Sequence, residues 1–323
     1  MGRVVSSFYI RKTINFIRAK KIEKQFYVAD KNIDECITNK KEFVFCANGF
    51  LAHGGLADRI YGILTTYAIC KIKNWKFAIH FNSPYNLEDF LVPNMYDWRI
   101  ATNDIRYNLN CAKPILRMGG CYLKPDFDSI KPIKKQIHFY SNYKNLDGIN
   151  NKYGTAFTWA ELFKELFRVS DVLQRDLNAI MEKLPEKYIS LQLRVQNAFG
   201  DFPDCGSTEL SDIEKECLLN ICEKKINSVT LENKMPILLT SDSQRLIDYF
   251  QTKKKDSLCF IPGTVLHTDN TDFSGYDAHK KTFIDLFCLA AGKEIYQIEN
   301  ENIYRSGFSK LAAQITERNV KWL

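Results

Sequence analysis

The chain has 323 residues, of which 45% are hydrophobic and 26% charged, a globular composition that excludes a disordered chain, a collagen-like repeat and a small disulfide scaffold. Its 45 lysines and arginines exceed its 38 acidic residues by 7, and they lie in short separate clusters, so a dedicated nucleic-acid binder is not expected. The length predicts two domains, each large enough to bury its own core.

The N-terminal segment 8–22 combines isoleucines at helical spacing with interspersed lysines and arginines. Two interpretations stay open: a basic amphipathic helix that lies on an anionic membrane, or a helix that packs on its own domain. The sequence shows neither a secretory signal peptide nor a run of about 18 apolar residues that could span a membrane. We therefore expect a cytoplasmic protein, with peripheral contact at the inner face of the cell membrane under the first interpretation.

Ten cysteines are scattered along the chain, without a CxxC pair and without a cysteine–histidine spacing typical of zinc sites. Several lie in apolar runs, where a free cysteine behaves as a small hydrophobic residue. We expect reduced thiols and no metal.

Residues 43–47 predict a buried strand, residues 56–73 an amphipathic helix and residues 76–81 a second strand, a unit that builds parallel sheets. The loop before the helix is rich in glycine. Its candidate residues are His53, Gly54, Gly55, Asp58 and Arg59. The N–H groups of such a loop and of a helix N-terminus suit an anion, but a tight turn that requires positive φ explains the glycines equally well.

Residues 158–184 predict a helical region, and residues 188–194 predict a strand whose alternation places Gln192 and Arg194 on one face at its end. Arginine offers a planar fork that matches phosphate oxygens, and a structural ion pair is the equal alternative. Asp201, in the polar loop that follows, is a candidate general base, although loop carboxylates commonly face solvent.

Two more strands, predicted at 235–240 and 294–298, are followed by serine-containing turns that open helices. The candidates in these turns are Ser241, Asp242, Ser243, Ser306, Gly307, Phe308 and Ser309. Helix capping accounts for these turns without any further function. The predicted helix 278–291 carries Asp285 in an apolar segment, where a carboxylate needs a hydrogen-bond donor: the N1–H and 2-amino groups of a guanine, or an internal lysine or arginine.

Strands and helices alternate in both halves of the chain, which predicts an α/β fold with two Rossmann-like domains facing each other across a cleft. We place these domains at 1–165 and 166–323. Ligands of such sheets bind beyond the carboxyl ends of the strands, where all the loops named above are expected.

In this order, the motifs resemble the GT-B fucosyltransferase superfamily, which includes α1,2-, α1,6- and protein O-fucosyltransferases. The segments that carry the resemblance are 54–62, 159–167, the strand ending in Arg194 (similar to the family's His-x-Arg motif), 240–243, 285–291 and 306–313. The pattern looks most like bacterial members that build surface polysaccharide.

The resemblance implies a GT-B fold and an inverting transfer of a sugar from a GDP-sugar, normally GDP-fucose, to a glycan acceptor, without a metal or other cofactor. It implies that Arg194 binds the β-phosphate, that Asp285 binds guanine and that Asp201 is the base. His53 is expected on the acceptor side. The other residues expected on the donor side are Gly54, Gly55, Asp58, Arg59, Gln192, Ser241, Asp242, Ser243, Ser306, Gly307, Phe308 and Ser309.

The sequence also departs from the family pattern. Gln192 stands where the family usually has histidine, and residues 195–197 replace a second arginine and an acid. A different donor, such as GDP-heptose or a UDP-sugar, and a catalytically inactive nucleotide- or glycan-binding relative are the alternatives. Asp126 and Asp128 form an Asp-x-Asp pair, which would predict a metal requirement instead.

Overall fold

The computed structural model describes residues 17, 20–28, 42–51, 53–117, 127–130, 136–201, 208–253, 256–266, 268 and 273–323. The chain divides into two compact units. The first runs to Leu87 and includes Val92–Arg168, and the second comprises Glu88–Leu91 and Val169–Leu323. Of the predicted helix 8–22, residues 17 and 20–22 are described and helical, and the rest of that prediction lies outside the described residues.

The described part of the first unit is built on a four-stranded parallel sheet. In chain order, the elements between residues 42 and 169 are β1 (Glu42–Ala47), α1 (Leu56–Lys73), β2 (Lys76–Phe81), a 3-10 turn (Leu87–Asp89), β3 (Leu91–Pro93), another 3-10 turn (Thr102–Asp104), β4 (Ala112–Arg117), β5 (Gln136–Ser141), α2 (Leu146–Tyr153), α3 (Trp159–Leu166) and β6 (Phe167–Val169). The sheet order is β2-β1-β5-β4, so β1 is an inner strand with β2 on one side and β5 on the other.

The helix α1 confirms the helix predicted at 56–73 and is central to the first unit. Every residue from Leu56 to Cys70 except Asp58 is buried, because α1 packs against β1 and β2 and against α2 and α3. The helix begins after Gly55 and ends at Asn74, whose φ of 53° is left-handed, a conformation that asparagine tolerates better than most residues. Its N-terminus follows the loop that leaves β1 at the carboxyl edge of the sheet.

In the described part of the second unit, five strands form a parallel sheet in the order β11-β10-β7-β8-β9. The elements are α4 (Asp171–Met181), β7 (Ile189–Leu193), α5 (Asp212–Asn233), β8 (Ile237–Ser241), α6 (Gln244–Thr252), β9 (Leu258–Cys259), α7 (Tyr276–Ala291), β10 (Ile295–Gln297), α8 (Gly307–Gln314) and β11 (Val320–Trp322). β7 and β8 are buried throughout, as inner strands of a parallel sheet are when helices cover both faces.

The predicted helical region 158–184 is two helices rather than one. A capping box of Thr158 and Glu161 opens α3, which ends where β6 begins. The hydroxyl of Ser170 then accepts a hydrogen bond from the N–H of Leu173 and caps α4. The apolar spacing continues through both helices, so periodicity alone did not show the break.

Among the described residues, no helix is both long and apolar enough to cross a membrane. Of the cysteines within the described ranges, those with free thiols are Cys46, Cys70, Cys217, Cys222, Cys259 and Cys288. Cys111 is disulfide-bonded, so the expectation of reduced thiols throughout is wrong at this position.

Candidate functional site

The candidate residues of the second unit meet where β7, β8 and β10 end. The first of these strands in sequence, β7, lies between the other two, so the strand order reverses at β7. Parallel sheets bind ligands in the crevice outside the carboxyl ends of the strands at such a reversal. The residues that the structure brings together at this edge are Gln192, Arg194, Asp201, Ser241, Asp242, Ser243, Ser306, Gly307, Phe308 and Ser309.

Arg194 forms an ion pair with Asp242 at the end of β7. Its Nη1 donates to Oδ2 of Asp242 over 2.6 Å, and the two side chains are 19% and 10% exposed. The carboxylate also accepts hydrogen bonds from the backbone N–H groups of Val195 (2.8 Å) and Gln196 (2.9 Å). Burial raises the pKa of Asp242, while Arg194 and the N–H groups act against that rise. The predicted alternative of a structural ion pair is therefore present, and it holds the guanidinium at the edge of the sheet.

Ser241 completes this corner of the site. Its hydroxyl donates to the carbonyl of Leu193 over 2.9 Å and accepts a hydrogen bond from the N–H of Ser243 over 3.1 Å. The loop after β8 is therefore fixed to the end of β7, and Asp242 is held in place beneath Arg194.

A chain of hydrogen bonds joins β7 to the start of α8. Oε1 of Gln192 accepts from the N–H of Ser309 over 3.1 Å, and the Ser309 hydroxyl donates to Oε1 of Gln297 over 3.1 Å. The Gln297 amide donates to the carbonyl of Tyr304 over 2.7 Å, and the N–H of Tyr304 donates to the carbonyl of Arg194 over 2.7 Å. The loop before α8 is thus tied to the residue that carries the guanidinium.

Gln297 and Tyr304 were not predicted from the sequence. Gln297 pairs directly with Gln192 in the strand register and is fully buried. Its signal was available, since Gln297 is the one polar residue at the end of the short strand β10, opposite Gln192. Tyr304 carries no comparable signal, because its contribution is made by backbone groups.

The N-terminus of α8 lies beside Arg194. Ser306 caps the helix by accepting from the N–H of Phe308 over 3.1 Å, while Gln192 holds the N–H of Ser309. A helix N-terminus carries partial positive charge and favours an anion. The guanidinium, its carboxylate partner Asp242 and this helix end are therefore brought together at the edge of β7.

Asp201 caps a different helix. Its Oδ2 accepts from the hydroxyl of Ser243 over 2.5 Å and its Oδ1 from the N–H of Arg245 over 3.0 Å, both at the start of α6. Both carboxylate oxygens therefore hold the helix end, and this role is structural. The role of Asp201 as a base stays a prediction.

Asp285 has an internal lysine as its partner. Nζ of Lys281 lies 2.8 Å and 2.9 Å from the two carboxylate oxygens, and the two side chains are 12% and 11% exposed. Burial raises the pKa of Asp285 and Lys281 acts against the rise. Lysine was one of the two partners that the sequence left open.

In the first unit, Arg59 holds two loops together. Its Nε donates to the carbonyl of Gly54 over 2.9 Å and its Nη1 to the carbonyl of Ser83 over 2.7 Å. The guanidinium also lies 5.2 Å from the ring centroid of Phe81, and the residue is only 5% exposed. Gly54 has φ of +74°, which few residues other than glycine adopt readily. The positive-φ turn that the sequence left open is therefore present.

The N-terminus of α1 differs from the capped helices. Gly55 precedes it without a capping side chain, and the space where its Cβ would lie is open. Asp58 lies in the first turn, with a carboxylate oxygen 3.9 Å from Nζ of Lys144. The helix end is therefore accessible at the carboxyl edge of the first sheet.

His53 is buried beneath this loop, with 1% exposure. Its Nδ1 lies 3.3 Å from Oδ1 of Asn142, whose amide also donates to the His53 carbonyl. Burial, with a further contribution from Arg59, lowers the pKa of His53 to about 3, so its imidazole is neutral at physiological pH. The predicted acceptor role of His53 stays a prediction.

No group of three histidine, cysteine or acidic side chains comes together as metal ligands would anywhere in the described part of the chain. Asp128 accepts hydrogen bonds from Lys73 (2.5 Å) and Tyr153 (2.8 Å) and pairs with Lys152. Its carboxylate is thus engaged with two ammonium groups, while Asp126 lies outside the described residues.

No protein-family model matches the chain, and no curated protein sequence matches it. Solved structures do match. The chain is 12% identical to a mutant of FUT1 from Arabidopsis thaliana in complex with GDP, with a TM-score of 0.57 over 94% of this chain and 74% of that one. It is 12% identical to the α1,6-fucosyltransferase NodZ soaked with GDP-fucose, with a TM-score of 0.55 over 85% and 93% of the two chains. For POFUT1 in complex with GDP the identity is 11%, with a TM-score of 0.50 over 91% and 99%.

At identities this low, the likeness shows a shared fold. The chain has a fucosyltransferase-like α/β fold, and the predicted Rossmann-like architecture is confirmed in both parallel-sheet units.

Proposed function

We propose that this protein is an inverting, metal-independent glycosyltransferase that moves fucose from GDP-fucose onto a glycan acceptor in bacterial surface polysaccharide synthesis. The observation that carries the proposal is the edge of β7 at the strand reversal, where an arginine fixed by Asp242 and the N-terminus of α8 are brought together. The shared fold supports it, because NodZ is a fucosyltransferase soaked with GDP-fucose and FUT1 is in complex with GDP.

The reacting bond joins the sugar to a pyrophosphate, and negative charge builds on the pyrophosphate as that bond breaks. Fixed donors aimed at a developing anion stabilise it more than they stabilise the ground state. In our proposal Arg194 contacts the β-phosphate, and the positive end of the α8 dipole at the turn 306–309 faces the same pyrophosphate. Because these groups supply the positive charge, the reaction does not require a metal.

The remaining roles in the proposal follow from placement. In the second unit Asp285 binds the guanine. His53 is the proposed acceptor-side residue, and its contact with Asn142 fixes the loop before α1. Asp201 is the proposed base, and it would have to release its contacts with α6 to accept a proton from the acceptor hydroxyl.

The acceptor is a glycan, and we place the protein in the cytoplasm with segment 8–22 at the membrane surface. Co-sedimentation with anionic liposomes, with and without residues 1–22, tests that placement. Equal binding by both proteins removes the membrane contact from the proposal and leaves the catalytic part standing.

A ligand that binds only the folded state raises its melting temperature, so the proposal is tested by thermal shift and calorimetry with GDP, UDP, ADP, CMP and GDP-fucose. We expect selective stabilisation by GDP and GDP-fucose, followed by donor hydrolysis or sugar transfer that persists in EDTA. Preference for UDP assigns another nucleotide sugar, and a strict need for added Mn²⁺ overturns metal independence. Nucleotide binding without any turnover favours the catalytically inactive relative.

A further inference from the structure

The bidentate pair of Lys281 and Asp285 is unusual for its position. The two residues are one helical turn apart on α7, and apolar residues follow Asp285 in the helix. Both side chains are largely buried, with 12% and 11% of their surface exposed. A buried ion pair is seldom more stabilising than apolar residues of the same size. Stability alone therefore gives little reason for a lysine here.

The pair lies on the part of α7 that is nearer the carboxyl edge of the sheet. The hydroxyl of Ser190 in β7 donates to the carbonyl of Leu289 over 2.9 Å, which fixes α7 against the strand. Asp285 is four residues before Leu289, about 6 Å toward the carboxyl edge, since α7 runs back across the sheet from β9 to β10. Arg194 is four residues after Ser190, about 13 Å in the same direction. Measured along the strand direction alone, Asp285 thus lies about 7 Å before Arg194, in the helix layer that covers the sheet.

The backbone of the loop after β9 lies against the lysine stem. A Cβ at Gly263, where φ is +111°, would lie 3.2 Å from Cδ of Lys281. The aliphatic part of Lys281 is thus held between this loop and α7, which leaves its Nζ directed to the carboxylate.

We propose that Lys281 is a base-specificity residue, which donates a hydrogen bond to O6 of guanine while Asp285 accepts from N1–H and the 2-amino group. This inference rests on the proposed function. The pair need not break, because an ammonium has three donors, of which two reach Asp285, and each carboxylate oxygen can accept a second hydrogen bond. Adenine has an amino group at the position of O6, so it would face the ammonium with a donor and be rejected.

The test uses the full chain and three diphosphates in calorimetry: GDP, 6-thio-GDP, in which a weakly accepting sulfur replaces O6, and IDP, which lacks the 2-amino group. We expect the wild-type protein to bind GDP at least about tenfold more tightly than 6-thio-GDP, the scale of one hydrogen bond to a charged group. In Lys281→Met this ratio should fall to near 1, while the ratio of GDP to IDP is retained. Asp285→Asn should instead reduce the ratio of GDP to IDP.

Lys280→Met is the matched control, because Lys280 is the adjacent lysine and pairs with Asp277 on the exposed face. If the role of Lys281 is purely structural, Lys281→Met weakens the binding of all three diphosphates equally. The ratios of GDP to 6-thio-GDP and of GDP to IDP then stay unchanged, and the inference is overturned. If Lys281→Met does not fold, the wild-type ratio decides, and equal affinity for GDP and 6-thio-GDP overturns it. A wild-type protein that prefers UDP or binds no nucleotide overturns the proposed function as well, whereas a GDP-selective protein with unchanged ratios overturns this inference alone.

Discussion

Removing Arg194 should affect both stability and nucleotide binding, and the two effects can be separated. In Arg194→Ala the carboxylate of Asp242 keeps its backbone partners, Val195 and Gln196, but loses its counter-charge. Breaking a buried ion pair from one side costs about 3–5 kcal/mol. Because Arg194 is 19% exposed and Asp242 stays hydrogen-bonded, we expect a smaller loss than this, about 2–3 kcal/mol of unfolding free energy. That loss corresponds to a fall in melting temperature of roughly 5–10 °C.

The stability loss in Arg194→Ala should depend on pH. Burial raises the pKa of Asp242 in the folded state, and removal of Arg194 takes away an interaction that lowers it. The pKa of such a carboxyl group is higher in the folded state than its value of about 3.9 in the unfolded state. The group therefore stabilises the fold at pH values below about 3.9, and this stabilisation is lost as pH rises through the pKa of the folded state. The difference between wild type and Arg194→Ala should therefore be small near pH 4 and grow toward pH 7.

The assay is denaturant unfolding of a double-mutant cycle, combined with the GDP-induced thermal shift. In Arg194→Ala with Asp242→Asn, the neutral amide no longer leaves a buried charge, so at least about 1 kcal/mol should be recovered relative to the sum of the single variants. The response to GDP should stay lost in the double variant, since the guanidinium is still absent. Additive stabilities refute the ion-pair argument, and a restored GDP response refutes the phosphate role of Arg194.

Three further predictions concern other parts of the chain. Asp201→Ala removes the cap of α6 and should lower the free energy of unfolding by about 1 kcal/mol. As the proposed base, Asp201 should also be worth at least about a hundredfold in transfer rate. A wild-type rate in a transfer assay refutes the role of base. Gly62→Ala places a Cβ against the carbonyl that ends β5 and should lose about 1–3 kcal/mol in denaturant unfolding, whereas Gly55→Ala, which meets open space, should change stability by less than about 1 kcal/mol. Burial lowers the pKa of His53 and His138 to about 3. Each should therefore lower the free energy of unfolding by about 1.4 kcal/mol for every pH unit below about 6.5, because the unfolded state binds a proton that the folded state does not. If substitution of either histidine by Gln leaves this dependence of stability on pH unchanged, the prediction is wrong.

Local periodicity was sufficient to predict the elements that are long or wholly apolar. The helix predicted at 56–73 has the same limits in the structure, and β7 lies within its predicted range. The strand predicted at 235–240 is found at Ile237–Ser241. β4 was missed because Lys113, Pro114 and Arg117 interrupt its apolar character. It is an edge strand, where a proline need not donate to a neighbour, so its sequence lacks the signal of an inner strand.

The candidate site was predictable where one element determines it. Alternation placed Gln192 and Arg194 on one face, and the i,i+4 spacing of Lys281 and Asp285 could have identified that pair. The partner of Arg194 could not be identified in this way, because Asp242 lies 48 residues further along the chain. That contact depends on β8 pairing beside β7, which is a property of the sheet order and not of either segment.

The amide at position 192 has a consequence for how the protein responds to acid. Gln192 occupies the place where an imidazole is usual in the family that the sequence resembles, and it holds the first turn of α8 through the N–H of Ser309. An imidazole changes charge between pH 5 and 8, but an amide does not. The hydrogen bond that Gln192 forms with α8 is therefore not altered by protonation. For the same reason, the side chain at position 192 adds no pH-dependent charge near Arg194. The contact that fixes the first turn of α8 is therefore the same throughout the pH range in which a histidine would titrate.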